Sequence, residues 1–152
     1  MNQLILWALF LAPWLLIIPL NTERVKRFVP VGLFSTVLIT IVYQLGERYE
    51  WWVLKENLFF LTNMTPSVYG LFIVMTIIVF YFTYPSFWLY LIANIILDVL
   101  QVVILGKLLD QVNLYELKSM PAYGIFLIAL LISLINYLFQ KWQDTAFDHT
   151  RT

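Results

Sequence analysis

The sequence predicts an all-α transmembrane bundle of five helices, with a short interfacial helix in the second loop. Three observations carry this reading. The 152-residue chain is 62% apolar and 18% aromatic but only 12% charged, where a water-soluble domain carries about 25% charged residues. Its mean hydropathy is +0.84. Its apolar residues fall into five long runs. With 9 Lys and Arg, 9 Asp and Glu and no Cys, a soluble domain, a disordered chain and a disulfide scaffold are excluded. Zero net charge leaves no broad electrostatic footprint for nucleic acid. The partner this composition specifies is the lipid bilayer.

A helix needs about 20 mostly apolar residues to cross a hydrocarbon core of about 30 Å. The first run, 3–20, holds no charge, and Pro13 and Pro19 predict a kink or frayed end. It reads as an uncleaved helix rather than a signal peptide. Met1, Asn2 and Gln3 supply no basic n-region, and no small-x-small cleavage site follows. The remaining runs are 28–46, 68–84, 87–105 and 122–140. Each is apolar on all sides, as a span is and an amphipathic surface helix is not. Their β-branched residues, such as Ile39, Thr40, Ile41 and Val42, do not argue for strands, because each run is too long for a barrel strand and does not alternate. Residues 1–143 form one bundle, and 144–152 a polar tail.

The second loop, 47–67, contains Trp51-Trp52-Val53-Leu54-Lys55-Glu56-Asn57-Leu58-Phe59-Phe60-Leu61. That segment is too apolar for a free loop and too short to span, which predicts a helix lying in the interface, as an anchoring hydrophobic lid that closes the bundle or, with less support, as a substrate-binding element. Trp51, Trp52, Trp88 and Trp142 flank spans, where an indole buries its ring and hydrates its N–H. Asn63-Met64-Thr65 matches a glycosylation sequon, a match too short to carry weight. Pro30, Pro66 and Pro121 each stand near the start of a span, followed by Gly at varying distances. This is shared helix-start chemistry and not an internal duplication.

Orientation follows from Lys and Arg near span ends. The first loop clusters Arg24, Lys26 and Arg27, and no basic residue precedes the first span. The first loop is therefore expected in the cytoplasm and the N-terminus outside. Alternation then puts 47–67 and 106–121 outside, and the 84–87 turn and the C-terminal tail inside. Basic residues count five inside (Arg24, Lys26, Arg27, Lys141, Arg151) and four outside (Arg48, Lys55, Lys107, Lys118).

Asp98 is the one ionisable residue inside any of the five runs. It lies about 16 Å along a helix that starts at 87 and rises 1.5 Å per residue, close to the midplane. An acid there costs roughly 2.5–3.5 kcal/mol on insertion scales and is expected to face protein or a water-filled cavity. Asn94, Asp98 and Gln101 share one helix face. Thr36, Thr40 and Gln44 line a face of the second span; Ser133 and Asn136, extended by Gln140, line one of the fifth; Thr76 is the polar candidate on the third. A polar seam built by spans two, four and five, centred on Asp98, is expected. As interhelical glue, such hydrogen bonds are worth about 0.6 kcal/mol each, and a protonated Asp98 donating to Asn94, Thr40 or a carbonyl would be inert. As a function, Asp98 is a proton or cation site in a transport path. Glu47 and Arg48, just beyond Gln44, read as an exposed interfacial ion pair of little worth.

No HExxH, G-x-S-x-G or Walker loop occurs. The single histidine, His149, lies in the polar tail. An aspartyl protease needs two carboxylates sharing a proton, and a metal centre needs several ligands; the spans hold one carboxylate. No enzyme, metal or cofactor is expected.

The run Arg27-Phe28-Val29-Pro30-Val31-Gly32-Leu33-Phe34-Ser35-Thr36, then Tyr43-Gln44-Leu45, Trp51-Trp52, and Phe87-Trp88-Leu89-Tyr90-Leu91 leading to Asp98, resembles a family of small uncharacterised multi-span membrane proteins of endospore-forming Gram-positive bacteria. The resemblance covers 27–105 and implies a bacterial plasma-membrane location, with no activity or catalytic residue to carry over. Two functions are therefore expected. The first is a non-enzymatic membrane protein that scaffolds or assists partners, including other membrane proteins or further copies of itself. The alternative is a small proton- or cation-coupled transporter using Asp98.

Overall fold

The computed structural model describes residues 2–61, 64–111 and 113–148; Asn63 of the sequon and His149 lie outside them. In chain order the elements are α1 (Asn2–Leu11), a 3-10 turn (Ala12–Leu16), α2 (Thr22–Arg48), strand β1 (Trp52–Leu54), a second 3-10 turn (Pro66–Val68), α3 (Leu71–Thr83), α4 (Phe87–Leu100), a π-turn (Gln101–Leu105), α5 (Gly106–Gln111), β2 (Tyr115–Leu117) and α6 (Ala122–Asp148).

Four helices are long and apolar enough to cross a membrane: Thr22–Arg48, Pro66–Thr83, Phe87–Ile104 and Ala122–Ala146. Local chemistry sets their ends. Asn21 caps α2 by accepting from the Arg24 N–H at 3.0 Å, and Glu23 complements the dipole of the first turn. The helix thus starts before the span expected at 28, carrying the basic cluster on its projecting turns. Ser86 caps α4 by accepting from the Leu89 N–H at 3.4 Å.

These four helices close a ring in the order α2, α3, α4, α6. Gly32 lets α3 approach α2; a Cβ there would stand 2.9 Å from Ile77 Cγ1. Phe28 stacks on Phe80 at 5.7 Å, and Phe80 meets Tyr90 of α4 at 4.6 Å. The Tyr90 hydroxyl donates to the Ser133 carbonyl of α6 at 2.8 Å. Phe34 and Phe139 stack at 4.2 Å and join α6 to α2. Phe28, Phe80, Tyr84, Tyr90 and Tyr137 form one buried cluster. It fills the half of the ring nearest the end of α6, called here the tail end. Lipid tails are as apolar as the helices, so such contact packing, more than the hydrophobic effect, holds a bundle of this kind together.

The opposite end is closed differently. β1 and β2 pair antiparallel, with Trp52 opposite Leu117 and Leu54 opposite Tyr115. The Trp52 ring lies against Gly46, where any side chain would collide with it. This is the sheet end.

Two expectations are corrected. The first run is not a continuous spanning helix, because α1 ends at Leu11. Pro13 has no N–H for the Leu9 carbonyl, and the chain tightens into a 3-10 turn. The Leu9 and Phe10 carbonyls then sit against Gly70, a close approach that only a missing side chain permits. The segment still runs along the bundle: Asn2 bonds Glu56 near the sheet end at 3.1 Å, Trp14 Nε1 donates to the Tyr69 carbonyl at 3.2 Å, and the Asn21 N–H donates to Tyr81 near the tail end at 3.3 Å. The other correction concerns the second loop, which forms β1 and irregular chain in place of an interfacial helix. Its backbone finds partners across the sheet end, with the Lys55 N–H donating to the Leu114 carbonyl at 3.0 Å and the Lys118 N–H to the Trp51 carbonyl at 2.9 Å. Its apolar Leu58 and Leu61 are buried against Leu6 and Leu114.

Candidate functional site

Between the aromatic half of the ring and the β1–β2 roof lies a cavity of about 200 Å³. α2 lines it with Ser35, Ile39, Val42 and Tyr43; the roof contributes Trp52 and Leu117; Thr65 and Ser67 flank Pro66. α3 adds Phe72 and Thr76, α4 adds Asn94 and Asp98, and the π-turn adds Gln101 and Val102. α6 supplies Ile125, Ile128, Ala129, Ile132, Ser133 and Asn136. Among these lining residues there is no Lys, Arg or His. The π-turn begins three residues after Asp98; single turns of this kind widen a helix and are frequent at functional sites.

Most polar groups on this wall are already hydrogen-bonded. The Asn136 Nδ2 donates to Ser35 Oγ at 2.9 Å, and Thr76 Oγ1 bonds the Phe72 carbonyl at 2.9 Å and lies 3.4 Å from Ser35 Oγ. Tyr43, Thr65 and Ser67 form a hydroxyl chain with separations of 3.1 and 2.5 Å. The Asn94 Nδ2 donates to the Tyr90 carbonyl at 2.9 Å, and Ser133 Oγ donates to the Leu130 carbonyl at 2.9 Å. Two acceptors stand apart. Asp98 Oδ2 and Asn136 Oδ1 are buried and have no hydrogen-bond partner. A buried acceptor left unpaired costs about 1–3 kcal/mol, more if charged.

Of the residues expected in the seam, Asp98, Asn94, Gln101, Ser133 and Asn136 come together at the cavity. Thr40 and Gln44 do not. Thr40 is half-buried and donates to the Thr36 carbonyl at 2.8 Å, and Gln44 is exposed. The cavity face of α2 is the 35/39/42/43 face, about 100° away from Thr40 and Gln44. Sequence reasoning passed over Ser35 and Tyr43, although their spacing of eight residues places them on one face.

Gln140 lies in a second network, at the tail end. Arg27 bonds Asp144 with both Nη2 and Nε, at 3.0 and 3.3 Å. The Tyr84 hydroxyl and the Gln140 Nε2 also donate to Asp144, the latter at 3.0 Å. Gln140 itself is 0% exposed. Burial first, and then the Asp144 carboxylate, hold the Tyr84 phenol above its ordinary value of 10.0. Asp144 had been assigned to the polar tail. The available signal was that it continues the Ser133, Asn136, Gln140 stripe by another four residues.

Among the described residues no three His, Cys, Asp or Glu side chains converge. The chain matches no family model, no curated protein and no solved structure.

Proposed function

We propose that this membrane protein is a non-enzymatic carrier that holds a small cation or a proton at Asp98. One observation carries the reading: Asp98, which has a buried carboxylate oxygen without a partner, lines a cavity between four apolar, span-length helices. Were the seam only glue, Asp98 would be bonded across helices, as Asn136 is to Ser35 and Tyr90 is to Ser133. The site also lies between two closures of different construction, the packed aromatic half and the β1–β2 roof. In this proposal the tail end, with Arg24, Lys26, Arg27 and Lys141, faces the cytoplasm and the roof faces outward. The membrane is the bacterial plasma membrane that the family resemblance implies.

The test is flux into proteoliposomes, wild type against Asp98→Asn, followed with a pH-sensitive dye and with alkali and organic cations. Loss of an Asp98-dependent flux, with the variant still folded, supports the carrier. Equal traces, or none from either protein, overturn it.

A second reading, scaffolding of membrane partners, has its own observation. The span containing α4 is only 6% buried within the chain, and Trp88, Ile92, Ile96 and Val103 point outward. Crosslinking in native membranes from Ile96 distinguishes a partner helix, or a second copy, from lipid.

A further inference from the structure

We infer that the cavity selects a small organic monocation, a protonated primary amine carrying a compact apolar body, over a bare alkali ion or a proton. This rests on the carrier reading and specifies its ligand. Size comes first. A cavity of 150 Å³ lined by apolar side chains takes up benzene, so about 200 Å³ admits a ring or branched alkyl group with a short arm. A proton needs no such volume. A hard divalent cation takes six or more oxygen ligands, usually with several carboxylates among them, and the lining carries one carboxylate.

The chemistry of the wall divides the same way. Asp98 Oδ2 and Asn136 Oδ1 are acceptors, and an ammonium is a pure donor of three N–H bonds. The rest of the lining divides between Ile, Val, Leu, Ala and aromatic side chains and a set of Ser, Thr, Asn and Gln side chains. The apolar part suits a compact hydrocarbon body, which a hydrated alkali ion lacks. Tyr43 and Trp52, packed edge to face at 5.3 Å, add aromatic surface to the same lining. With no cationic side chain among the described lining residues, an anion would meet the Asp98 carboxylate with no positive charge to offset it, and a neutral isostere would leave the carboxylate unpaired.

The test is calorimetric titration and thermal shift of the full chain in nanodiscs, with benzylamine at neutral pH as probe. Benzyl alcohol, toluene and sodium or potassium chloride serve as comparisons. Benzylammonium is expected to bind and to raise the melting temperature. The neutral isosteres should bind about tenfold more weakly or worse, the loss expected for a charge-assisted hydrogen bond. Asp98→Asn should lose the same factor. Ala129→Phe, which fills the cavity and leaves Asp98 in place, should abolish binding; it carries the test alone if Asp98→Asn does not fold. Equal affinity for benzyl alcohol, or binding unaffected by both substitutions, overturns the inference. Asp98-dependent sodium, potassium or proton flux without amine binding sinks the ligand class and leaves the carrier standing. Amine binding without flux does the reverse.

Discussion

Replacing Asp98 by Leu should make the protein more stable while abolishing ligand binding. At a helix centre, Asp costs roughly 2.5–3.5 kcal/mol on insertion scales and Leu gains roughly 0.3–0.6 kcal/mol, so the substitution is worth about 3–4 kcal/mol as an upper bound. Asp98 lines a cavity within the bundle and does not stand among acyl chains, so only part of that penalty applies. Taking about half leaves about 1.5–2 kcal/mol. No hydrogen bond to Oδ2 is given up, because that atom has no partner. For a chain of this size each kcal/mol moves the melting temperature by about 2–4 °C, which predicts a rise of about 3–8 °C without ligand. The assay is thermal and denaturant unfolding in one micelle system, with Tyr90→Phe as the contrasting control. That change removes the 2.8 Å bond to the Ser133 carbonyl and should destabilise by about 0.6 kcal/mol, up to about 1.7. If Asp98→Leu instead loses stability as Tyr90→Phe does, Asp98 is glue between helices and the site reasoning fails.

Three further outcomes follow from the packing. Arg27→Ala should lower stability by about 1–2 kcal/mol in denaturant unfolding. It leaves Asp144, 15% exposed, with only its neutral donors, while the 48% exposure of Arg27 screens the pair; Arg27→Lys should rescue little, because the two-nitrogen geometry is lost. Gly70→Val would drive a side chain into the Leu9 and Phe10 carbonyls and should release α1, read as faster hydrogen exchange over residues 2–16 with α4 and α6 unchanged. Tyr84 gives an alkaline signature. Its phenol is raised in the fold by burial and Asp144, so its contribution is whole below about pH 10, where the unfolded phenol ionises, and is lost as pH climbs from there toward the folded value. Tyr84→Phe should flatten that limb of the stability–pH curve.

Much of the architecture was legible in the sequence because a bilayer imposes a length and a composition on anything that crosses it. The helices at 22–48, 66–83, 87–104 and 122–146 follow from that constraint, and Asn94, Asp98, Gln101, Ser133 and Asn136 follow from helical spacing. What failed depended on rotation and tertiary pairing. A stripe chosen on α2 by counting threonines was one residue off the cavity face, because both faces carry hydroxyls and only the approach of α3 through Gly32 decides between them. The second loop looked interfacial because Trp51 to Leu61 is apolar. Its apolar groups are used by α1 and by residues 114–117, which lie more than fifty positions away. Asp144 was missed because a charged residue past an apolar run looks like tail, although Arg27 waits opposite it.

The two closures of the cavity differ enough to predict which one opens. The tail half is held by five buried aromatic residues in mutual contact, where each ring pair adds about 0.5–1.5 kcal/mol beyond contact area. The roof is two strands of three residues, a few exposed bonds around them such as Lys55 to Glu116 and Ser119 to the Glu50 carbonyl, and one indole seated on Gly46; pairs of short strands are marginal. Opening therefore belongs to the sheet end. Gly46→Leu removes the seat of Trp52 and should hold the roof ajar without touching Asp98 or the aromatic cluster. The chain has no native Cys, so a single Ser67→Cys, 1% exposed and lining the cavity, reports access by its rate of reaction with a small cationic thiol reagent. That rate should rise about tenfold or more when Gly46→Leu is added, corresponding to about 1.4 kcal/mol of lost closure, and only when reagent is applied from the sheet side. If the rate is unchanged, or if reagent from the tail side reacts faster, the aromatic half is the gate and the roof is merely a lid on a path that does not use it.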